Sequence, residues 1–170
     1  MRLLMLRHAI AVPQESAGVP DDERPLTRRG KRRFQRAARG LARIQGAPDV
    51  LLTSPLLRAV HTARIAAKAG GGIEPIEERA LAGQDLDAIL AAVAAHAEST
   101  GEDEDATVAL VGHEPSVSAL LARLIGATRA ERLAFRKGGA ALVELAGAPA
   151  EGKRLVWYLP PRILRALGDA

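Results

Sequence analysis

The chain contains no cysteine. Disulfides, thiolate-bound zinc and thiol nucleophiles are therefore excluded. Aromatic residues make up 2% of the chain, and Phe34, Phe135, Trp157 and Tyr158 are the full set. The core must then be built mostly from Leu, Val, Ile and Ala, and a base-stacking surface for single-stranded nucleic acid is disfavoured. No apolar run reaches the roughly 20 residues of a membrane span. The first residues carry Arg2 and Arg7 but no long apolar region and no small-residue cleavage site, so no signal peptide is read there. The expectation is a soluble cytoplasmic protein that engages no membrane. No G-x-x-x-x-G-K-[ST] segment is present, which excludes a nucleotide-triphosphate P-loop of that type.

The chain is 170 residues long, 48% hydrophobic and 26% charged. That balance suits a globular protein, and the length suits a single domain over 1–170, with a monomer as the expected state. The net charge is +4 and the cations are mostly arginine. A basic balance fits anionic partners such as phosphates or acidic protein surfaces, and it also fits a plain compositional bias toward arginine.

Residues 2–7 read as a strand covered on both faces, because they are nearly all apolar. Residues 9–26, with Pro13, Gly18, Pro20 and Pro25, read as a loop carrying the acidic cluster Asp21-Asp22-Glu23. Thr27 reads as an N-cap, with helix to about Gln45 and an apolar face of Phe34, Ala37, Leu41 and Ile44. Asp49 to Thr53 is a second strand. Ser54-Pro55 reads as a cap followed by proline in the first turn, with helix to Gly70-Gly71-Gly72. Residues 73–76 (IEPI) read as a weak strand and Asp85 to Ala97 as an alanine-rich helix capped by Asp85, with an acidic loop from Ser99 to Asp105. Thr107 to Val111 is another buried strand, followed by a helix from Pro115 or Ser116 to about Ile125. Late strands follow at 139–145 and 154–159, and a short helix from Arg162. Alternation of strand and helix predicts a three-layer α/β/α fold with a mostly parallel sheet of about six strands. Ligands of such sheets bind outside the carboxyl ends of the strands.

That edge is where the chemistry collects. Arg7 and His8 end the first strand, His113 follows the strand at 107–111, and Arg58 lies early in the helix after the second strand. Arginine forks match phosphate oxygens, and helix starts at Thr27, Ser54 and Ser116 add N–H donors. The set predicts a pocket for a tetrahedral dianion, with histidine as the nucleophile.

The stretches LRHA (6–9), PLTRRG (25–30), SPLLRAVHTA (54–63) and VGHEP (111–115) resemble, in order and spacing, the histidine phosphatase (phosphoglycerate mutase-like) superfamily. The short length and Ala9 after His8 resemble the SixA-type bacterial phosphohistidine phosphatases. The resemblance implies a phosphoglycerate mutase-like fold and a metal-independent phosphatase with no cofactor. It also implies that His8 is the nucleophile that becomes phosphorylated, that Arg7 and Arg58 hold the phosphoryl oxygens, and that His113 contacts the phosphoryl group. The expected substrate is a histidine-phosphorylated protein, such as a phosphotransfer domain of a bacterial signalling system, and not a nucleic acid. A small-molecule phosphomonoesterase or mutase of the same superfamily is the alternative.

Relatives often carry a Glu or Asp that protonates the leaving oxygen. Glu77, Glu78, Asp85 and Glu114 lie in the right region, but each reads as a solvated charge or a cap. A missing acid favours an N–P substrate, since imidazole, with a pKa of about 6.5, leaves as a neutral ring without one. In PLTRRG, Arg28 and Arg29 oppose the helix macrodipole, and Asp21 to Glu23 are expected to offset them. This basic rim reads either as a recruiting surface for an acidic partner or as a solvated arginine-rich face. His61, one turn after Arg58, reads as a helix-surface residue or as a support for that arginine or the rim, and His96 as a cation at a helix C-terminus or as a residue with no role.

Overall fold

A computed structural model describes residues 1–101, 105–145 and 153–170. The chain alternates as expected: β1 Arg2–Arg7, α1 Gln14–Ala17, α2 Arg28–Gln45, β2 Val50–Thr53, α3 Leu57–Ala69, β3 Ile76–Glu77, α4 Leu86–Ala97, β4 Thr107–Gly112, α5 Ser116–Ile125, β5 Ala140–Glu144, β6 Arg154–Leu159 and α6 Pro161–Asp169. The strands form one sheet in the order β3-β2-β4-β1-β5-β6. The first four of these are mutually parallel, while β5 runs antiparallel to both β1 and β6.

Period-two alternation sorts the strand side chains into two cores. Leu4, Leu6, Ala109, Val111 and Leu51 face α2, α3 and α6, where they meet Phe34, Ala37, Leu41, Ala59, Ala63 and Leu164. Leu3, Met5, Val108, Leu110 and Leu52 face the opposite way, onto Ile89, Val93, Leu120, Leu121 and Phe135. Both faces of β1 and β4 are covered, which is why those strands read as unbroken apolar runs. Aliphatic residues dominate both cores; the buried aromatic exceptions are Phe34 in the first and Phe135 in the second, the latter 1% exposed and meeting Tyr158 edge-on at 5.0 Å.

Helices α2 and α6 pack at unusually close range through two glycines. A Cβ on Gly40 would fall 1.9 Å from the Leu164 carbonyl oxygen, and one on Gly168 would fall 1.9 Å from that of Arg36. Thr27 caps α2 as expected, its hydroxyl accepting from the Gly30 N–H at 2.8 Å.

Several local expectations differ from the structure. The loop at 9–26 contains α1 and a 3-10 turn at Asp21–Glu23. The strand expected at 73–76 reduces to Ile76–Glu77, paired only through Leu52↔Ile76 and Thr53↔Glu77, because Pro75 has no N–H to give a ladder. Helix α3 starts at Leu57, and neither it nor α5 has a side-chain cap. Ser54 and Ser116 spend their hydroxyls elsewhere: Ser54 Oγ on the His113 ring and the Leu56 N–H, and Ser116 Oγ on the Gly83 carbonyl. Asp85 does cap α4, accepting from the Asp87 and Ala88 N–H groups. Residues 102–104 of the acidic loop lie outside the described residues. Among the described residues, no helix is long and apolar enough to cross a membrane.

Candidate active site

The parallel pairing of β1 with β4 sets Arg7 opposite Gly112, so the residues that follow each strand emerge together. The ladder runs one step further, with the His8 N–H donating to the Gly112 carbonyl at 3.0 Å. The His8 and His113 rings therefore meet, their centroids 5.1 Å apart and tilted by 49°. Next to them, the Ser54 N–H donates to the Val111 carbonyl at 3.0 Å, and Ser54 Oγ lies 2.8 Å from His113 Nε2.

His8 is 6% exposed, and its Nδ1 lies 2.7 Å from the Ala9 carbonyl oxygen. A carbonyl only accepts, so Nδ1 carries the proton and Nε2 carries the lone pair. Ala9 is itself pinned. Its N–H donates to Thr62 Oγ1 at 3.0 Å, and that hydroxyl donates to the Arg58 carbonyl at 2.7 Å. The turn of α3 that bears Arg58 is thus tied to the residue that orients the His8 ring.

Each arginine is held by one end. Arg7 Nη1 donates to the Phe135 carbonyl at 2.5 Å. Arg58 Nη1 donates to the Asp21 carbonyl at 2.6 Å, and its Nη2 to Asp21 Oδ2 at 3.0 Å. Asp21 in turn accepts from Arg24 Nε at 2.8 Å, and Arg24 Nη1 reaches the Val12 carbonyl at 2.7 Å. The Arg7 Nε, the Arg58 Nε and the His113 Nδ1 are buried with no hydrogen-bond partner within the protein. Groups of this kind are normally paired, and three of them gather around His8.

The electrostatics keep both rings neutral. Burial pushes the His8 imidazole down to about 3; the Ala9 hydrogen bond opposes this, while His113, Arg58 and Arg7 add to it. Burial also pushes His113 down to about 4, with Arg58 helping and Asp21 opposing. Burial lowers the Arg7 and Arg58 guanidinium groups too, against the pull of Glu114 on the first and Asp21 on the second. Burial would raise the Asp21 carboxyl, but the hydrogen bonds and charges of Arg24 and Arg58 outweigh it and hold Asp21 below the ordinary carboxylate range.

The four residues singled out in the sequence, Arg7, His8, Arg58 and His113, come to one place. The four carboxylates considered as acids do not join them as free groups. Glu78 caps a 3-10 turn and lies 3.6 Å from His96 Nε2. Asp85 is the α4 cap, and Glu77 is exposed. Glu114 lies near Arg7, yet its oxygens accept from Ser118 Oγ at 2.7 and 2.6 Å and from the Phe135 N–H at 3.0 Å. Asp21 was expected to offset Arg28 and Arg29; it pairs instead with Arg24 and Arg58. His61 is half-buried, not on the open surface, and its Nδ1 has no partner. Sequence reading missed Asp21 and the Phe135 carbonyl as anchors of the arginines, although the acidic cluster was visible beside PLTRRG.

Comparison with known proteins gives the same frame. A profile of the histidine phosphatase superfamily (branch 1) matches residues 3–89, a span that includes Arg7, His8 and Arg58. An uncharacterized protein of Picosynechococcus sp. is 33% identical over 139 residues, 82% of each chain. Among solved structures, a protein of Agrobacterium tumefaciens assigned as the phosphohistidine phosphatase SixA is 26% identical, with a TM-score of 0.76 over 94% of this chain and 97% of that one. A second SixA assignment, from Nakamurella multipartitia, is 29% identical, with a TM-score of 0.73 over 94% of this chain and 95% of that one. With the profile covering β1, the turn that carries His8 and the helix that carries Arg58, the chain belongs to the histidine phosphatase superfamily, branch 1.

Proposed function

We propose that this protein is a phosphohistidine phosphatase that hydrolyses the N–P bond of histidine-phosphorylated proteins through a phosphorylated His8. The observation that carries the reading is the arrangement around His8: a neutral imidazole with its lone pair fixed at Nε2, beside buried and unpartnered N–H groups on Arg7 and Arg58.

The steps follow from that arrangement. His8 Nε2 attacks phosphorus, and the bond from phosphorus to the substrate imidazole breaks. The Nε and Nη2 edges of Arg7 and Arg58 hold the equatorial oxygens, where transition-state charge accumulates. The Ala9 carbonyl keeps the Nδ1 proton and supports the positive charge that develops on the ring. The substrate imidazole takes up a proton and leaves as a neutral ring. Water then attacks phosphorus, the P–Nε2 bond breaks, and inorganic phosphate departs with His8 again neutral. His113, neutral and half-buried, faces the same oxygens.

The state of the nearby carboxylates favours phosphohistidine as the substrate. Asp21 is held ionised by Arg24 and Arg58, and Glu114 is committed to Ser118 and Phe135. Neither is free to protonate an alkoxide, and an imidazole leaving group does not need such an acid.

The test uses a histidine-phosphorylated protein and p-nitrophenyl phosphate, with and without a chelator, beside His8→Ala. Phosphate release should be unaffected by the chelator and lost in the variant, and rapid quenching should trap an acid-labile phosphoenzyme on the wild type alone. Full activity in His8→Ala would refute the mechanism. Turnover of the ester with none of the phosphoprotein would point to the small-molecule phosphomonoesterase reading.

A further inference from the structure

Outside the site, the sharpest anomaly is the distribution of charge. Helices α2 and α6 together carry ten cations (Arg28, Arg29, Lys31, Arg32, Arg33, Arg36, Arg39, Arg43, Arg162 and Arg165) and one carboxylate, Asp169. Asp169 pairs with Arg36 and approaches Arg39 at 3.9 Å. Among the described residues, Arg29, Arg32, Arg33, Arg162 and Arg165 form no ion pair. Glu77, Glu78, Asp85, Asp87 and Glu98 lie on β3, α4 and their flanks instead. The net charge of +4 therefore understates the field on the α2–α6 face.

This face is shaped and it joins the active site. A cavity of about 360 Å³ is lined by Arg7, Arg33, Arg136, Lys137 and Arg165. A second, of about 690 Å³, lies among Arg29, Arg32, Arg36 and Arg162 and shares Arg33 and Arg165 with the first. The Arg136–Gly138 turn that forms one wall is bonded to the catalytic strand, with the Gly138 N–H donating to both the Arg7 and His8 carbonyls at 3.1 Å. Arg28, which the sequence suggested as part of a basic rim, lines neither cavity. The cluster is locally unfavourable. Burial lowers the Arg165 guanidinium, and Arg33 and Arg36 lower it further, while Arg29 opposes the α2 dipole. Local conflict of this kind in an otherwise consistent fold marks a functional surface.

We propose that this groove docks an acidic surface of the phosphorylated protein substrate, flanking its phosphohistidine; the proposal rests on the phosphatase reading above. From Arg29 to Arg36 the groove follows α2 for seven residues, about 10 Å at 1.5 Å per residue. That length exceeds one phosphate and matches several carboxylates spread over a protein face. Its only aromatic lining residue is Phe34, which is 3% exposed and offers no ring for base stacking, so the groove suits a protein better than single-stranded nucleic acid.

The experiment compares an isolated phosphotransfer domain with an acidic face, phosphorylated on its histidine with phosphoramidate, against p-nitrophenyl phosphate. The variant is Arg32→Glu/Arg162→Glu, chosen because neither residue lines the cavity that contains Arg7. Relieving like-charge crowding should leave it folded, which a thermal melt checks. The ratio of kcat/KM for the domain to kcat/KM for the ester should fall about tenfold or more, through KM. In the wild type, raising the ionic strength from about 0.01 M to about 0.15 M, which shortens the Debye length from about 30 Å to about 8 Å, should depress kcat/KM for the domain more than for the ester. The variant should lose that excess. An unchanged ratio with wild-type turnover of both substrates would overturn the docking site and leave the chemistry standing. Tighter retention of a DNA duplex than of the domain, lost in the variant, would overturn it in favour of nucleic acid. Failure of the wild type to dephosphorylate the domain, or turnover that survives in His8→Ala, would overturn the phosphatase reading, and the docking site with it.

Discussion

Acid should unfold this protein through two imidazoles. His8 and His113 are pushed down to about 3 and about 4, chiefly by burial. In the unfolded chain each returns to about 6.5. A folded pKa below the unfolded one means that the stability carried by the neutral group is complete above about pH 6.5 and is lost as pH falls toward the folded value. At about pH 4.5, protonating one free histidine stabilises the unfolded chain by RT ln(1 + 10²), about 2.7 kcal/mol. Folded His8 recovers almost none of this, and folded His113 recovers about 0.2 kcal/mol by the same relation. The pair therefore removes about 5 kcal/mol, a large share of the roughly 5–15 kcal/mol that stabilises a typical domain. At about 2–4 °C per kcal/mol for a chain of this size, Tm should fall by about 10–20 °C between pH 7 and 4.5 from these two groups. The assay is a calorimetric melt of wild type and His8→Asn/His113→Asn, in buffers free of phosphate, which would stabilise the native site by mass action. The depressed carboxyls of Asp21 and Asp169 weaken both proteins over a lower pH window, so the difference between the two isolates the histidines. Equal losses of Tm in both proteins would show that the rings titrate freely in the fold, and the argument for a neutral nucleophile would go with them.

Three further outcomes are expected. Arg58→Ala should lower kcat on p-nitrophenyl phosphate by about 10²–10³, the usual loss for one preorganised donor to a developing oxyanion; a loss under about threefold in a folded variant would remove Arg58 from the transition state. Glu114→Gln keeps an acceptor for the Phe135 N–H and should retain most activity, whereas Glu114→Ala should release the segment that anchors Arg7 and lose it; equal losses in steady-state assays would mean that the carboxylate acts through its charge or proton. Gly40→Ala and Gly168→Ala should each destabilise by about 1–3 kcal/mol through overpacking, seen as a lower urea midpoint with an unchanged slope, because each Cβ would meet a backbone oxygen 1.9 Å away. An unchanged midpoint would mean that α6 slides away from α2 at no cost.

The sheet was legible wherever burial is two-sided. Leu3 to Leu6 and Val108 to Val111 are unbroken apolar runs because helices cover both faces of those strands, and residues that end such strands must emerge at one edge. Phe34, Ala37 and Leu41 showed the inward face of α2 for the same reason, whereas Ile44, part of the expected stripe, is 40% exposed near the helix end. The helix start at Ser54 was misread because a serine before a helix can serve another partner, whereas α5 begins at Ser116 as expected. Ser54 is fully buried, and its hydroxyl holds the His113 ring. The reversal of β5 left no trace in composition, since buried strands of either direction are apolar.

The arginines show why part of the site stays hidden from sequence. Arg7 is anchored by a main-chain carbonyl 128 residues away, and Arg58 by one 37 residues away. A carbonyl has no residue type, so Phe135 could not be found as an anchor from its own letter, whereas Asp21 also accepts from Arg58 through its carboxylate. What can be read is the charge that fixes the segment bearing each carbonyl. Glu114 holds the Phe135 N–H, and Arg24 ties Asp21 to the Val12 carbonyl. Both tethers use terminal guanidinium nitrogens and leave the two Nε–H groups unpartnered. The plane of each guanidinium is thereby set before substrate arrives, and little ordering entropy remains to be lost on binding. Charged residues next to the recognisable motifs, here Glu114 beside His113 and Asp21 beside PLTRRG, are therefore the places where sequence can reveal an anchor whose acceptor is wholly or partly backbone.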